Sequence, residues 1–262
     1  ALLYLAARLV ELPLGIFAIA AATVLFPEFA RFASARDTEG LRRSYRHGSA
    51  LVFAITLPAF VGLALLGETI FRSVFAWGLF DPADAARAAP VLAIFAAGLP
   101  FYAQSALLTR AHQARQDMKT PVRVAGWVLL ANLIFSVSLM IPFGVHGLAA
   151  ANSLAAVVQV TLLQIRLRKN TGDDAQWMPV ELWKVIAAAL ALLLFLVLLP
   201  AIGPDSTKGT LLLRLLWVIP VGAGVCFGVL FILRFSPLSE FRELFPRRAR
   251  KPKESDINSI SR

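Results

Sequence analysis

The stretch YLAARLVELPLGIFAIAAATVLFPEFAR, from Tyr4 to Arg31, decides how the rest of the chain reads. No charge falls between Leu12 and Phe26. The run is long enough for a helix to cross a bilayer, which takes about 20 mostly apolar residues. Arg8 and Glu11 stand at its leading edge, three residues apart and therefore on one helix face. An arginine there is costly unless it faces water, a partner or a ligand. Two readings stand side by side. Arg8 either snorkels to the headgroups and pairs with Glu11 as structure, or it contacts a ligand. Pro13 and Gly15 follow, Pro27 lies near the far end, and the later apolar segments frame this helix.

Composition agrees with a membrane setting. Of 262 residues, 58% are hydrophobic and 16% are charged, with mean hydropathy +0.70. A soluble domain is roughly half apolar, so the chain reads as an integral membrane protein. The single cysteine, Cys226, lies in an apolar run and rules out an internal disulfide. The chain begins at Ala1 inside helical sequence and carries no basic n-region followed by a cleavage site. It reads as part of a longer protein whose earlier portion is missing.

Seven apolar segments follow one another, over 2–29, 49–71, 88–109, 122–143, 148–165, 182–202 and 211–233. Each is near the length of a span, which predicts an all-α, polytopic transmembrane helix bundle. Twenty-one of the 26 basic residues fall after the first, third, fifth and seventh segments, and Arg72, Arg87, Lys208 and Arg214 fall on the other side. The positive-inside rule therefore puts the first, third and fifth loops and the C-terminus in the cytoplasm. The net charge of +10 is then mostly a topology signal, and nucleic acid is not an expected partner. Residues 1–178 read as a lobe of five spans, 179–235 as a C-terminal helix pair and 236–262 as a basic cytoplasmic tail. The first cytoplasmic loop suits a short surface helix with Phe32, Leu41 and Tyr45 toward lipid. The spacing of Leu238, Phe241, Leu244 and Phe245 suits an interfacial helix on anionic lipid or a solvated tail.

Prolines within or near the spans, among them Pro13, Pro58, Pro100, Pro142 and Pro220, remove backbone hydrogen bonds and kink helices, a common feature of transporters. Polar groups also sit in the middle spans: Gln104 and Ser105, Asn132, Ser136 and Ser138, then Asn152, Ser153 and Gln159. In hydrocarbon these need partners and should face the bundle interior, as interhelical glue or as substrate contacts. By contrast, Ala187 to Leu199 is almost wholly apolar, and Gly222, Gly224 and Gly228 mark a small-residue face. These last two spans suit lipid tails better than a polar pathway. No Walker loop or GxSxG elbow occurs, and His47, His112 and His146 are far apart in sequence. Glu68, Asp81, Asp84 and Asp117 read as solvated acids at span ends. No enzyme, metal or cofactor is expected.

Four stretches together resemble one family. RLVELPLGIFAIAAATVLFPEFAR, Arg8 to Arg31, resembles the RL-x-x-LPLG-x-x-x-x-A-x-x-T-x-x-x-P-x-x-(S/A)-R stretch of the MurJ/MviN family of lipid II flippases. ARQDMKTPVR, Ala114 to Arg123, is similar to its A-R-x-D-x-(K/R)-TPV loop, and HGLAAANSLAA, His146 to Ala156, to its GLALA-x-S segment. FAWGLFDPADAARAAPVLAIFAAGLP, Phe75 to Pro100, resembles the region that ends in GLP.

The resemblance implies a fold of fourteen transmembrane helices in two lobes plus a C-terminal pair, within the multidrug/oligosaccharidyl-lipid/polysaccharide exporter superfamily, with this chain covering helices eight to fourteen. It implies transport of undecaprenyl-diphosphate-linked peptidoglycan precursor across the bacterial inner membrane by alternating access. It also implies that Arg8 lines a cationic cavity and pairs with the substrate diphosphate, as a guanidinium can do in bidentate fashion. Glu11 matches an acid that orients that arginine, and the last two spans match a groove for the prenyl tail. Gln104, Asn132 and Asn152 join Arg8 and Glu11 as candidate substrate-binding residues. The chain departs from the family at Ala7, where aspartate is common. Implied partners are lipid II, membrane lipids and cell-wall synthesis proteins. Export of another prenyl-linked glycan, or a transport-inactive scaffold, are the other readings.

Overall fold

The computed structural model describes residues 2–75, 81–171, 179, 181–199 and 208–235, with the backbone alone at 17–24, 82, 170, 171 and 208. Every described element is helical: α1 Leu2–Ser34, α2 Thr38–Ile70, α3 Pro82–Ala96, α4 Leu99–Ala114, α5 Lys119–Thr171, α6 Leu182–Leu198 and α7 Lys208–Ile232. One π-helical turn, Phe71–Phe75, extends α2. Four described stretches are long and apolar enough to cross a membrane: Thr38–Phe75, Ala83–Ala114, Lys119–Lys169 and Gly209–Ile232. Leu182–Leu198 is a shorter apolar helix. The chain is thus a multi-pass membrane helix bundle. The tail at 236–262, with its expected interfacial helix, lies outside the described residues, as does the sixth segment beyond 199.

Local chemistry sets the boundaries. Asp37 caps α2 by accepting from the Gly40 N–H at 2.8 Å. Asp81 accepts from the Asp84 N–H at 2.8 Å while the Asp84 carboxylate reaches back to the Asp81 N–H, a capping box ahead of Pro82. These two acids, expected as merely solvated, start a helix.

The segments expected at 122–143 and 148–165 both belong to α5, and the chain turns sharply between them. Gly144 has φ +55° and ψ −127°, a conformation that favours glycine. Three residues on, a Cβ at position 147 would overlap the Leu139 carbonyl, so Gly147 permits a backbone approach that no other residue would. The single segment expected at 88–109 is instead two helices, broken at Ala97–Gly98.

The interior is layered along the bundle. Toward the basic loops, Leu25 and Phe29 of α1 pack with Leu41, Tyr45 and Val52 of α2, Leu107 and Leu108 of α4, and Leu163 and Leu167 of α5. Toward the opposite end, Ala6, Leu9 and Val10 of α1 meet Ala85, Ala88, Leu92 and Ala96 of α3 and Ala149 of α5. The alanines let backbones approach, which matters because lipid supplies no hydrophobic drive between helices. Helices α6 and α7 pack on each other and on α2 through Ala50, Ala54, Val185, Ala188, Leu192, Cys226 and Leu230.

One expectation is corrected. Leu41 and Tyr45 do not face lipid; both are buried in the layer near the basic loops, and Phe32 packs against it. The first loop is only a short turn, and α2 already begins at Thr38.

Candidate functional site

Residues Tyr4, Arg8, Glu11, Leu12, Gly15 and Ile16 fall on one face of α1, at spacings of four, three, one, three and one. That face points out of the bundle, while Ala6, Leu9 and Val10 on the other face are buried against α3. Tyr4 is 62% exposed, and the Arg8 and Glu11 side chains are 57% and 58% exposed. Among the described residues, Arg8 has one ion-pair partner. Its Nη1 donates to Glu11 Oε2 at 2.6 Å. The guanidinium carbon also lies over the Tyr4 ring, 5.0 Å from its centroid. Pro13 follows one half-turn later and has no N–H for the Leu9 carbonyl, which loosens α1 just beyond the pair.

The depth of this pair follows from helix geometry. Arg8 and Arg31 are 23 residues apart in α1, or roughly 34 Å along a straight axis at 1.5 Å per residue. Arg31 lies at the end with the basic loops. Arg8 therefore belongs to the half of the bundle away from those loops, level with the alanine-rich layer.

The other candidate residues have surroundings of their own. Gln104 is 3% exposed; its Nε2 donates to Tyr45 Oη at 2.5 Å, and Tyr45 Oη donates to Gln164 Oε1 at 3.0 Å. This relay ties α4 to α2 and α5, and Gln104 Oε1 stays buried with no hydrogen-bond partner among the described residues. Asn152 Nδ2 donates to the Leu148 carbonyl of its own helix at 3.2 Å. Asn132 lies on the outer arm of α5, with Oδ1 buried and unpartnered among the described residues. None of the three makes a hydrogen bond or ion pair with Arg8 or Glu11.

Sequence reasoning missed three arrangements. Tyr4 stacks on Arg8, a contact signalled only by i,i+4 spacing. Ser153, seen as interhelical glue without a partner, donates to the Ile94 carbonyl at 2.8 Å at the α3–α4 break. The third is a clamp at the α4–α5 loop. His112 is fully buried; its Nδ1 faces Asp117 Oδ2 at 3.1 Å and its Nε2 faces the Leu163 carbonyl at 3.2 Å. Both facing groups are acceptors, so a ring bearing hydrogen on both nitrogens donates to both. Asp117 also accepts from the Thr120 N–H at 3.0 Å and starts α5. Burial pushes the Asp117 carboxyl up, but hydrogen bonds from Thr120 and His112 outweigh it and hold the group below its ordinary value. Asp117 is thus a structural acid of the loop, not a solvated one. No group of three or more potential metal ligands occurs among the described residues.

The family described as "Lipid II flippase MurJ" matches residues 1–217. A probable lipid II flippase MurJ of Haemophilus influenzae is 34% identical over 197 residues, covering 72% of this chain and 38% of its own length. That of Rhizobium meliloti is 30% identical over 251 residues, 92% of this chain and 46% of its own. A solved structure titled "Lipid II flippase MurJ, inward closed conformation" superposes with a TM-score of 0.72 at 24% identity, over 88% of this chain and 46% of that one. The chain spans less than half the length of these relatives. The family match runs from α1 into α7 and takes in the stripe around Arg8, and by it the chain belongs to the MurJ family.

Proposed function

We propose that this chain serves in a lipid II flippase, which moves undecaprenyl-diphosphate-linked peptidoglycan precursor from the cytoplasmic to the outer leaflet of the bacterial inner membrane. The carrying observation is an arginine on a largely apolar helix, pointing away from the bundle and answered, among the described residues, by Glu11 and the Tyr4 ring. An exposed cation inside a span needs a partner, and a lipid diphosphate supplies one with the right charge and with oxygens spaced for bidentate contact. The names borne by the relatives agree with this substrate.

The charge pattern supports a cytoplasmic C-terminus, with the first, third and fifth loops on the same side. We assign residues 1–178 to one transmembrane lobe, 179–235 to a helix pair that offers apolar surface to the prenyl tail, and 236–262 to a basic tail. Leu190, Leu194, Leu213, Leu216 and Phe231 are exposed on that pair, which suits contact with a hydrocarbon chain. The breaks at Ala97–Gly98 and Gly144 suit helices that rock during alternating access, driven by ions or membrane potential.

The test is complementation. The full-length gene, as wild type, Arg8→Ala or Arg8→Lys, is expressed in a host depleted of its own lipid II flippase, with membrane abundance checked by blot. We expect rescue by wild type and failure of Arg8→Ala at normal abundance. Full rescue by Arg8→Ala assigns the arginine to snorkelling, and failure of wild type points to another prenyl-linked glycan.

A further inference from the structure

We propose that Tyr4 is a positioning residue for Arg8: its ring holds the guanidinium in place while the in-plane N–H donors exchange the Glu11 carboxylate for phosphate oxygens of the ligand. The inference rests on the flippase reading above and adds a residue and an exchange to it.

Arg8 divides its contacts between two supports. Glu11 takes a donor at the edge of the guanidinium, at 2.6 Å. Tyr4 meets the group through its ring, 5.0 Å from the centroid, and a cation over a ring face can keep its in-plane N–H donors for other partners. The two supports are therefore of different kinds. One competes with an anionic ligand for the same hydrogens, and the other does not.

Charge then decides the sequence of events. With Glu11 attached, the pair carries no net charge, and the carboxylate repels an approaching diphosphate. A phosphate can engage Arg8 fully only when Glu11 lets go. If Glu11 were the sole support, Arg8 would become a free, flexible chain at that moment and would lose its geometry. Tyr4, one turn back on the same exposed face, removes that problem, because a neutral ring attracts the cation without opposing the anion. Position 7, beside Arg8, is alanine, so that neighbour offers no carboxylate in place of Glu11.

The experiment is ligand binding to the purified full-length protein in detergent. The probes are undecaprenyl diphosphate and inorganic pyrophosphate, which separate a lipid-anchored diphosphate from a free one. Variants are Tyr4→Phe, Tyr4→Leu, Glu11→Gln, Tyr4→Leu with Glu11→Gln, and Arg8→Ala. Tyr4 is exposed, so thermal midpoints should match wild type. We expect the lipid probe to bind more tightly than pyrophosphate. Tyr4→Phe keeps the ring and keeps wild-type affinity, whereas Tyr4→Leu weakens binding about 3- to 10-fold, the scale of one partly desolvated cation–π contact. Glu11→Gln tightens binding, and the loss from Tyr4→Leu grows in that background. Wild-type affinity in Tyr4→Leu overturns the inference while the flippase reading survives, provided Arg8→Ala still abolishes binding. Equal losses in Tyr4→Phe and Tyr4→Leu also overturn it, because the hydroxyl and not the ring would then matter. Failure of the wild type to bind the lipid probe overturns both.

Discussion

The hydroxyl of Ser153 donates to the carbonyl of Ile94 at 2.8 Å, across the break between α3 and α4. In a continuous helix that carbonyl would accept from the Gly98 N–H, which instead turns to Phe95 O at 3.1 Å. Pro100 then lacks an N–H altogether. A freed carbonyl inside a bilayer has no water to turn to, so a side chain from α5 supplies the hydrogen. Ser153→Ala should therefore lower stability by about 0.5–2 kcal/mol, given the modest worth of interhelical bonds in membranes. Ser153→Thr, which keeps the hydroxyl, should lose less. Thermal unfolding in detergent reads the difference.

The Gln104–Tyr45–Gln164 relay predicts an asymmetry. Tyr45→Phe removes the central hydroxyl and with it the bonds to Gln104 on α4 and Gln164 on α5. It should cost about 1–3 kcal/mol, the range for leaving buried polar groups unmet. Gln104→Leu removes an amide whose oxygen is already unpaired, so it should cost less. In the double variant, Gln104→Leu should recover part of the Tyr45→Phe loss. Strict additivity in a double-mutant cycle would contradict the relay.

Asp117 predicts a pH dependence. Its folded-state value is held below the ordinary carboxylate value, so the charged form stabilises the fold. That contribution is fully present above the unfolded-state value, near 3.9, and disappears as pH falls through the lower folded value. Asp117→Asn keeps a capping oxygen but loses the charge, so it should be less stable than wild type at neutral pH. The gap between the two proteins should close on acidification below about pH 4.

Gly144 and Gly147 predict different penalties. Gly144→Ala forces a Cβ onto a backbone at φ +55° and ψ −127°, a strained conformation for any side chain though with open space around it, for about 1–3 kcal/mol. Gly147→Ala drives a Cβ into the Leu139 carbonyl, so the backbone itself must move. The second variant should be clearly the less stable, or fail to accumulate in membranes, as expression and melting comparisons would reveal.

Much of this architecture can be read from the residues. Apolar length marks the helices, the four-residue gap at 144–147 marks the turn in α5, and three-residue spacing pairs Arg8 with Glu11. What escapes depends on contacts between distant segments. Leu41 and Tyr45 have the spacing of a lipid-facing helix, but lipid and bundle interior are both apolar, so pattern alone cannot choose between them. The helix break falls near Pro100, where Ser153 meets a freed carbonyl, while Pro58 and Pro220 lie inside helices. The His112–Asp117 clamp needs a turn with Gln116 at φ 61°, a conformation no simple sequence signal announces. The stack of Tyr4 on Arg8 is compatible with its spacing but follows from it only once the face is known to be open.

Arg8 is proposed to act on the lipid-linked diphosphate during transport by the full-length protein. The most direct measurement follows lipid II on the outer leaflet of living cells, using an externally added enzyme that cleaves its headgroup, after the host flippase is depleted. Full-length protein with wild-type Arg8 should restore cleavage from outside, and Arg8→Ala at equal membrane abundance should leave lipid II uncleaved. Wild-type cleavage in Arg8→Ala cells would contradict the account and leave the arginine a structural partner of Glu11.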